Sequence, residues 1–198
     1  MSKQRTRLDN CSGDCHPAAC GRIPIFVIGQ NVRNNKDAAL AIFNAGHELG
    51  NHSDDYSSLG NASESAIAAN IDAASKAIME ITGEKPAFFR APNLSHSISL
   101  SQVCFERGMP LMDGNVHNDW DGTNHTPASI RDSVLAHPRD GGIILLHDNN
   151  TSKGDTMAAL PEIIRGLREK GFWILTVDQL AAVKEETLEA GMRYGSIR

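Results

Sequence analysis

At 198 residues, 40% of them apolar, and with a formal charge of −5, the chain has the size and composition of one globular, soluble domain with a sizeable core. No basic block or stripe is present, so nucleic acid is not an expected partner, and no apolar run approaches the roughly 18 residues of a membrane span. The basic start, Met1 to Arg7, has no apolar stretch behind it and does not read as a signal peptide as written.

Residues 1–22 are polar and without a clean period. They hold three of the four cysteines, Cys11, Cys15 and Cys20, together with Asp14 and His16. Intervals of three and four residues between these cysteines match no common zinc-finger spacing, so idle thiols in a loop are the favoured reading over a small zinc site. Ile23 to Gly29 is a short apolar run bounded by glycine and reads as a buried strand, with Pro24 tolerable near its start. A helical run from Asn35 to Ala45 stops at Gly46, a good C-cap residue. Strand Glu48–Asn51 then delivers His52, Ser53, Asp54 and Asp55 within four residues.

Ser63 caps a long helix in which Ile67, Ile71, Ala74 and Ile78 follow the 3.6-residue period, and Gly83 and Pro86 end it. A strand over 87–89 runs into the guanidinium of Arg90. A short helix over about 100–107 leads through Gly108 to a strand at 110–115 and then to Val116-His117-Asn118-Asp119-Trp120. Thr126-Pro127 opens another helix. Ile143 to Leu146 is the clearest strand in the chain, and it ends in His147 and Asp148. A helix over about 155–170, a strand over 172–177, a helix from Asp178 and a loose tail from Gly191 to Arg198 complete the chain. The expected organisation is an irregular segment 1–22, one domain 23–190 and a tail 191–198.

Strands that alternate with helices and read as continuous apolar runs argue for a parallel sheet covered on both faces. His52, Arg90, Asp119 and His147 each follow a strand, and in a βα barrel such positions converge on one face. Asp113 and Asp148 are read as structural.

Gly46 to Leu59, Phe89-Arg90-Ala91-Pro92, Asn118-Asp119-Trp120 and Leu145-Leu146-His147 occur in the order of the motifs of the polysaccharide deacetylases, the NodB-homology or family 4 carbohydrate esterases, and the chain resembles that family from Ile25 to about Leu180. The resemblance implies an α/β fold, an incomplete and distorted βα barrel of the NodB-homology type. It also implies removal of N- or O-acetyl groups from a polysaccharide with one divalent metal. Tyr56 stands at the motif's second histidine, as it does in esterase domains similar to those of clostridial acetylxylan esterases. The family's opening Thr-Phe-Asp-Asp-Gly strand, which brings the base and a metal carboxylate, is not present. Its nearest remnant, Leu8-Asp9-Asn10, lies too close to strand 23–28 for the usual helix between them.

Mapped onto these positions, His52 is the metal ligand, an imidazole suited to zinc or cobalt, with weak binding because Tyr56 replaces the second imidazole. His147 protonates the leaving group, Asp119 orients it, and Arg90 is the arginine that pairs with the base carboxylate. Asn93 and Trp120 line the sugar groove. Family members are usually secreted or held at the cell surface. The alternative reading is a non-catalytic or truncated deacetylase-like domain that at most binds carbohydrate, and the missing opening Asp-Asp pair is what separates the two.

Overall fold

The computed structural model of the protein describes residues 22–114, 116–117, 126–148 and 154–198. The described chain begins with strand β1 (Pro24–Val27), helices α1 (Gly29–Asn34) and α2 (Lys36–Asn44), strand β2 (Glu48–Asn51) and the long helix α3 (Glu64–Thr82). Helix α4 (Ile98–Glu106), β3 (Leu111–Met112), β4 (Val116–His117), α5 (Pro127–Ala136), β5 (Ile144–Leu145), α6 (Gly154–Glu169), α7 (Val177–Lys184) and β6 (Arg193–Tyr194) follow.

All the ladders between these strands are parallel. β1 pairs with β2 in the register Pro24↔Glu48 to Val27↔Asn51. Phe89 bridges Asn51 on one side and Leu111 on the other, and β3 pairs with β6. β4 and β5 form a second parallel pair. Strands that run the same way present their C-terminal ends on one side, so Asn51, Phe89, Met112 and Leu145 are each followed by a residue on that rim. With helices packed outside, this is an α/β fold of the incomplete βα-barrel type.

Local chemistry explains several boundaries. The Ser63 hydroxyl accepts from the Ala66 N–H at 3.3 Å, and Gly83, at φ +74°, closes α3 by donating to the Met79 carbonyl. Thr126 and Ser129 form a reciprocal capping box, with Pro127 in the first turn of α5. Ile67, Ile71, Ala74 and Ile78 are all buried, as the helical period predicts. Full burial of an isoleucine side chain contributes roughly 1.5–3 kcal/mol, so this stripe is the main reason α3 lies flat on the sheet. On the inner side of the sheet Phe88, Met112, Ile143, Val177 and Ile197 pack together, with Phe26 and Tyr194 against them. Among the described residues no helix is long and apolar enough to cross a membrane.

Three expectations need correction. The run after Gly29 is helical, where only the stretch from Asn35 was expected to be, because α1 is held by contacts distant in sequence rather than by a side-chain cap. The strand expected over 172–177 does not form. Thr176 instead caps α7, and the Val177 N–H donates to Glu48 Oε2 at 3.1 Å. The tail expected to be loose is docked. β6 pairs with β3, the Ile197 N–H donates to the Gly141 carbonyl at 2.9 Å, and the Ile197 side chain is fully buried.

Candidate active site

The site is built outward from Asn51, the last residue of β2. Its side chain is completely buried. Nδ2 donates to the Ile71 carbonyl and to Ser75 Oγ, both at 2.9 Å, and Oδ1 accepts from the Ser53 N–H at 2.9 Å. Ser53 takes a left-handed φ of 67°, and its hydroxyl accepts from the N–H of Tyr56, itself at φ 63°. Two L-residues in that region within one short loop store backbone strain, which surrounding hydrogen bonds must offset. The Gly29 and Gln30 N–H groups donate to the Ser53 and Asp54 carbonyls, so the start of α1 clamps the loop as well.

The two carboxylates of the loop turn away from His52. Asp54 forms a bidentate pair with Arg33 of α1 at 2.7 and 2.8 Å. Asp55 accepts from Asn70 Nδ2 of α3 at 2.8 Å and from the Ser57 N–H at 3.1 Å. The carboxylates that follow His52 in sequence are thus held by other groups: an acid next in sequence to a ligand is not next to it in space when a helix residue binds it first.

His52 Nδ1 lies 2.8 Å from the Arg90 carbonyl. A carbonyl only accepts, so the neutral ring carries its proton on Nδ1 and leaves Nε2 as a lone pair. Burial pushes the ring's pKa down to about 4. The bond to the Arg90 carbonyl works against this fall, and the charges of Arg90 and His147 add to it. At neutral pH His52 is thus an uncharged imidazole with a fixed tautomer. Tyr56 meets it edge to face, with the ring centroids 5.2 Å apart.

The Arg90 guanidinium lies over the Phe26 ring, 4.0 Å from its centroid, a placement worth about 2 kcal/mol when desolvated. Gly50 makes room for that ring: a Cβ there would sit 2.6 Å from Phe26 Cδ1. Nε donates to the Met112 carbonyl at 2.8 Å and Nη2 to the Asp113 carbonyl at 3.3 Å. Burial brings the guanidinium down to about 10, against the pull of the Asp113 charge, so it stays cationic at neutral pH. Among the described residues no carboxylate reaches Arg90 within ion-pair distance. The Asp113 carboxylate is shared instead by His96 Nε2 at 3.1 Å and Arg193 at 2.8 Å. Burial alone would raise that carboxyl's pKa, but the bonds to His96 and Arg193 leave it below its usual value.

His147 is half-buried two residues beyond β5, near enough for its charge to act on His52. The fold thus gathers His52, Arg90 and His147. Asn93 sits exposed on the loop after Arg90 at φ 52°, next to Leu94 at φ 49°. Asp119 and Trp120 lie outside the described residues, as do Asp9 and the cluster Cys11, Cys15 and Cys20. The remaining cysteine, Cys104, is a buried free thiol whose pKa burial pushes up to about 12, which makes it inert.

Sequence reasoning missed Asn51, Asn70, Arg33 and Phe26. The one local signal was a polar side chain, Asn51, at a strand position where the neighbouring strands carry apolar residues. As for a divalent metal, the donor chemistry of His52 fits one: a neutral, oriented imidazole with a free Nε2. Among the described residues, no three His, Cys, Asp or Glu side chains gather as an ion-binding group. An ion here would therefore take its other ligands from water or from outside that set.

Residues 22–111 match the sequence profile of the family described as polysaccharide deacetylase. The chain is 37% identical over 161 residues to a bifunctional xylanase/deacetylase of Pseudobutyrivibrio xylanivorans, covering 80% of this chain and 26% of that protein. It is 29% identical over 160 residues to a peptidoglycan-N-acetylglucosamine deacetylase of Bacillus cereus, covering 80% and 75%. The fold superposes on a family 4 acetyl xylan esterase from Clostridium thermocellum, solved with a cobalt ion, with a TM-score of 0.81. That match has 30% identity and covers 88% of this chain and 84% of the other.

Proposed function

Because the chain belongs to the polysaccharide deacetylase family, we propose that it removes acetyl groups from a glycan with the help of a divalent ion, zinc or cobalt, bound weakly through His52. The observation that carries this reading is the buried, uncharged His52 ring, fixed through Nδ1 on the Arg90 carbonyl and open at Nε2. A bound ion would lower the pKa of a water and polarise the acetyl carbonyl. Arg90 holds a fixed positive charge beside the ring, and its N–H groups that bond no described residue would steady a developing negative oxygen. His147 gives the departing sugar hydroxyl or amine its proton. Asp119 orients that imidazole, and Asn93 and Trp120 border the sugar. Acetylated xylan is the favoured substrate, since a relative at 37% identity and a solved structure at 30% carry xylan in their names.

One observation favours a second reading. Among the described residues Arg90 meets no carboxylate within ion-pair distance and no three His, Cys, Asp or Glu side chains gather around an ion, which suits a domain that binds carbohydrate without turning it over. Acetate release separates the two. With zinc or cobalt added, the protein should release acetate from acetylated xylan, and His147→Ala should lower that rate by about 10²–10⁴-fold. Release only from N-acetylglucosamine oligomers would reassign the substrate. No release from either, with sugar binding seen by calorimetry, would establish the second reading.

A further inference from the structure

We propose that Asn51 is a positioning residue: its buried amide sets where His52 presents Nε2. The inference rests on the reading of His52 as a metal donor. Asn51 is anchored in the sheet through both backbone groups, its N–H donating to the Phe88 carbonyl and its carbonyl accepting from the Arg90 N–H, each at 2.9 Å. Its amide then spends both Nδ2 hydrogens on α3, at the Ile71 carbonyl and Ser75 Oγ. That fixes the remaining group, Oδ1, at one place, and there it captures the Ser53 N–H at 2.9 Å. An asparagine oxygen bonded to the N–H two residues on forms a side-chain-closed turn.

His52 lies inside that turn. The residue before it is tied to two strands and a helix, and the residue after it is held at φ 67°, which an L-residue rarely adopts. The ring's only remaining freedom is its own side-chain torsions, and Nδ1 on the Arg90 carbonyl removes that. Without the Oδ1 contact the buried Ser53 N–H loses its partner, and the left-handed turn is left to the Tyr56 N–H on the Ser53 hydroxyl and the Gly29 N–H on its carbonyl. The His52 N–H stays on the Val27 carbonyl, so the shift falls on the C-terminal side of His52, and it takes Nδ1 out of alignment with the Arg90 carbonyl. A leucine or valine would fill the same buried space and leave the turn open, so space-filling alone does not account for an amide at this position.

The test compares Asn51→Ala with Ser75→Ala, His52→Ala and a remote core change, Val134→Ala. The readouts are zinc calorimetry, urea unfolding without metal, and the ¹⁵N signature of the His52 tautomer at neutral pH. Loss of the outer partner of a ligating imidazole, here the Arg90 carbonyl on Nδ1, weakens metal binding about 10–100-fold, and Asn51→Ala, which misaligns that contact, should fall in that range. Its His52 ring should also change from a single Nδ1-protonated form to a mixture. Ser75→Ala, which removes one anchor of the amide, should move both readouts the same way by less. It decides the matter if Asn51→Ala does not fold. Val134→Ala should lose stability and keep zinc affinity. Unchanged zinc affinity and tautomer in a folded Asn51→Ala, or in Ser75→Ala if the first fails, overturns the positioning role. Wild-type zinc affinity in His52→Ala would instead overturn the reading of His52, and this inference with it.

Discussion

The ends of β2 and β3 flank the Phe89–Arg90 segment on the rim and use their acidic residues in opposite ways. Beyond β2 the carboxylates of Asp54 and Asp55 are drawn outward to Arg33 and Asn70, and the group left facing the site is an uncharged imidazole. Beyond β3 the carboxylate of Asp113 stays inside, shared by His96 and Arg193, and its charge bears on the buried Arg90 guanidinium. One strand end is cleared of charge so that a lone pair is available, and the other is stocked with charge so that a cation stays buried. Positions on one rim can therefore differ in chemistry because distant partners decide where each carboxylate goes: helix residues for Asp54 and Asp55, a loop histidine and a strand arginine for Asp113.

The largest effect expected from this contrast is a pH dependence. His52 has a folded pKa near 4, against an ordinary value of 6.5 in the unfolded chain. Its contribution to stability is complete above pH 6.5, falls as the unfolded state takes up a proton, and is gone below pH 4. The shift corresponds to about 3 kcal/mol. Urea unfolding at pH 7 and pH 4.5 should show the wild type losing about 2–3 kcal/mol more than His52→Gln. Equal losses in the two proteins would mean that the ring is not held neutral by burial.

Next in size is the charge under Arg90. Asp113→Asn keeps the shape but removes the charge that two partners and Arg90 share, and should cost about 2 kcal/mol in urea unfolding. Arg193→Met should cost under about 1 kcal/mol, because more than half of that side chain is in solvent. If both variants cost the same, the burden falls on the surface pair and not on the buried cation.

Much of the frame was legible in the sequence, for reasons tied to particular residues. Ser63, Gly83 and Thr126-Pro127 mark helix ends through chemistry confined to a few neighbouring residues. Arg90 and His147 could be placed at strand ends because each closes an apolar run, and His52 because it follows the short strand that begins after Gly46. α1, β6 and the absent strand over 172–177 were not legible, since each is decided by a distant partner: the α3 face, β3 and Glu48 respectively. The same limit hid the destinations of Asp54 and Asp55, whose partners lie 21 and 15 residues away. Asn51 was hidden for a related reason: a buried asparagine has meaning only once Ser75 and Ser53 are on either side of it.

The smallest effect sharpens the first half of the contrast. The Arg33 side chain is 40% exposed, so Arg33→Met should cost only about 0.2–1 kcal/mol. Yet it frees Asp54 to turn inward. Zinc titration should then show affinity equal to or above that of the wild type. A marked loss would mean that the Arg33–Asp54 pair shapes the His52 loop itself.

The central claim is that His52 offers Nε2 to a divalent ion, and anomalous diffraction at the cobalt edge from cobalt-soaked crystals tests it most directly. The account predicts an anomalous peak about 2.1 Å from His52 Nε2, with the Asp54–Arg33 pair intact. A peak at Cys11, Cys15 and Cys20, or between Asp54 and Asp55, with nothing at Nε2, would contradict it.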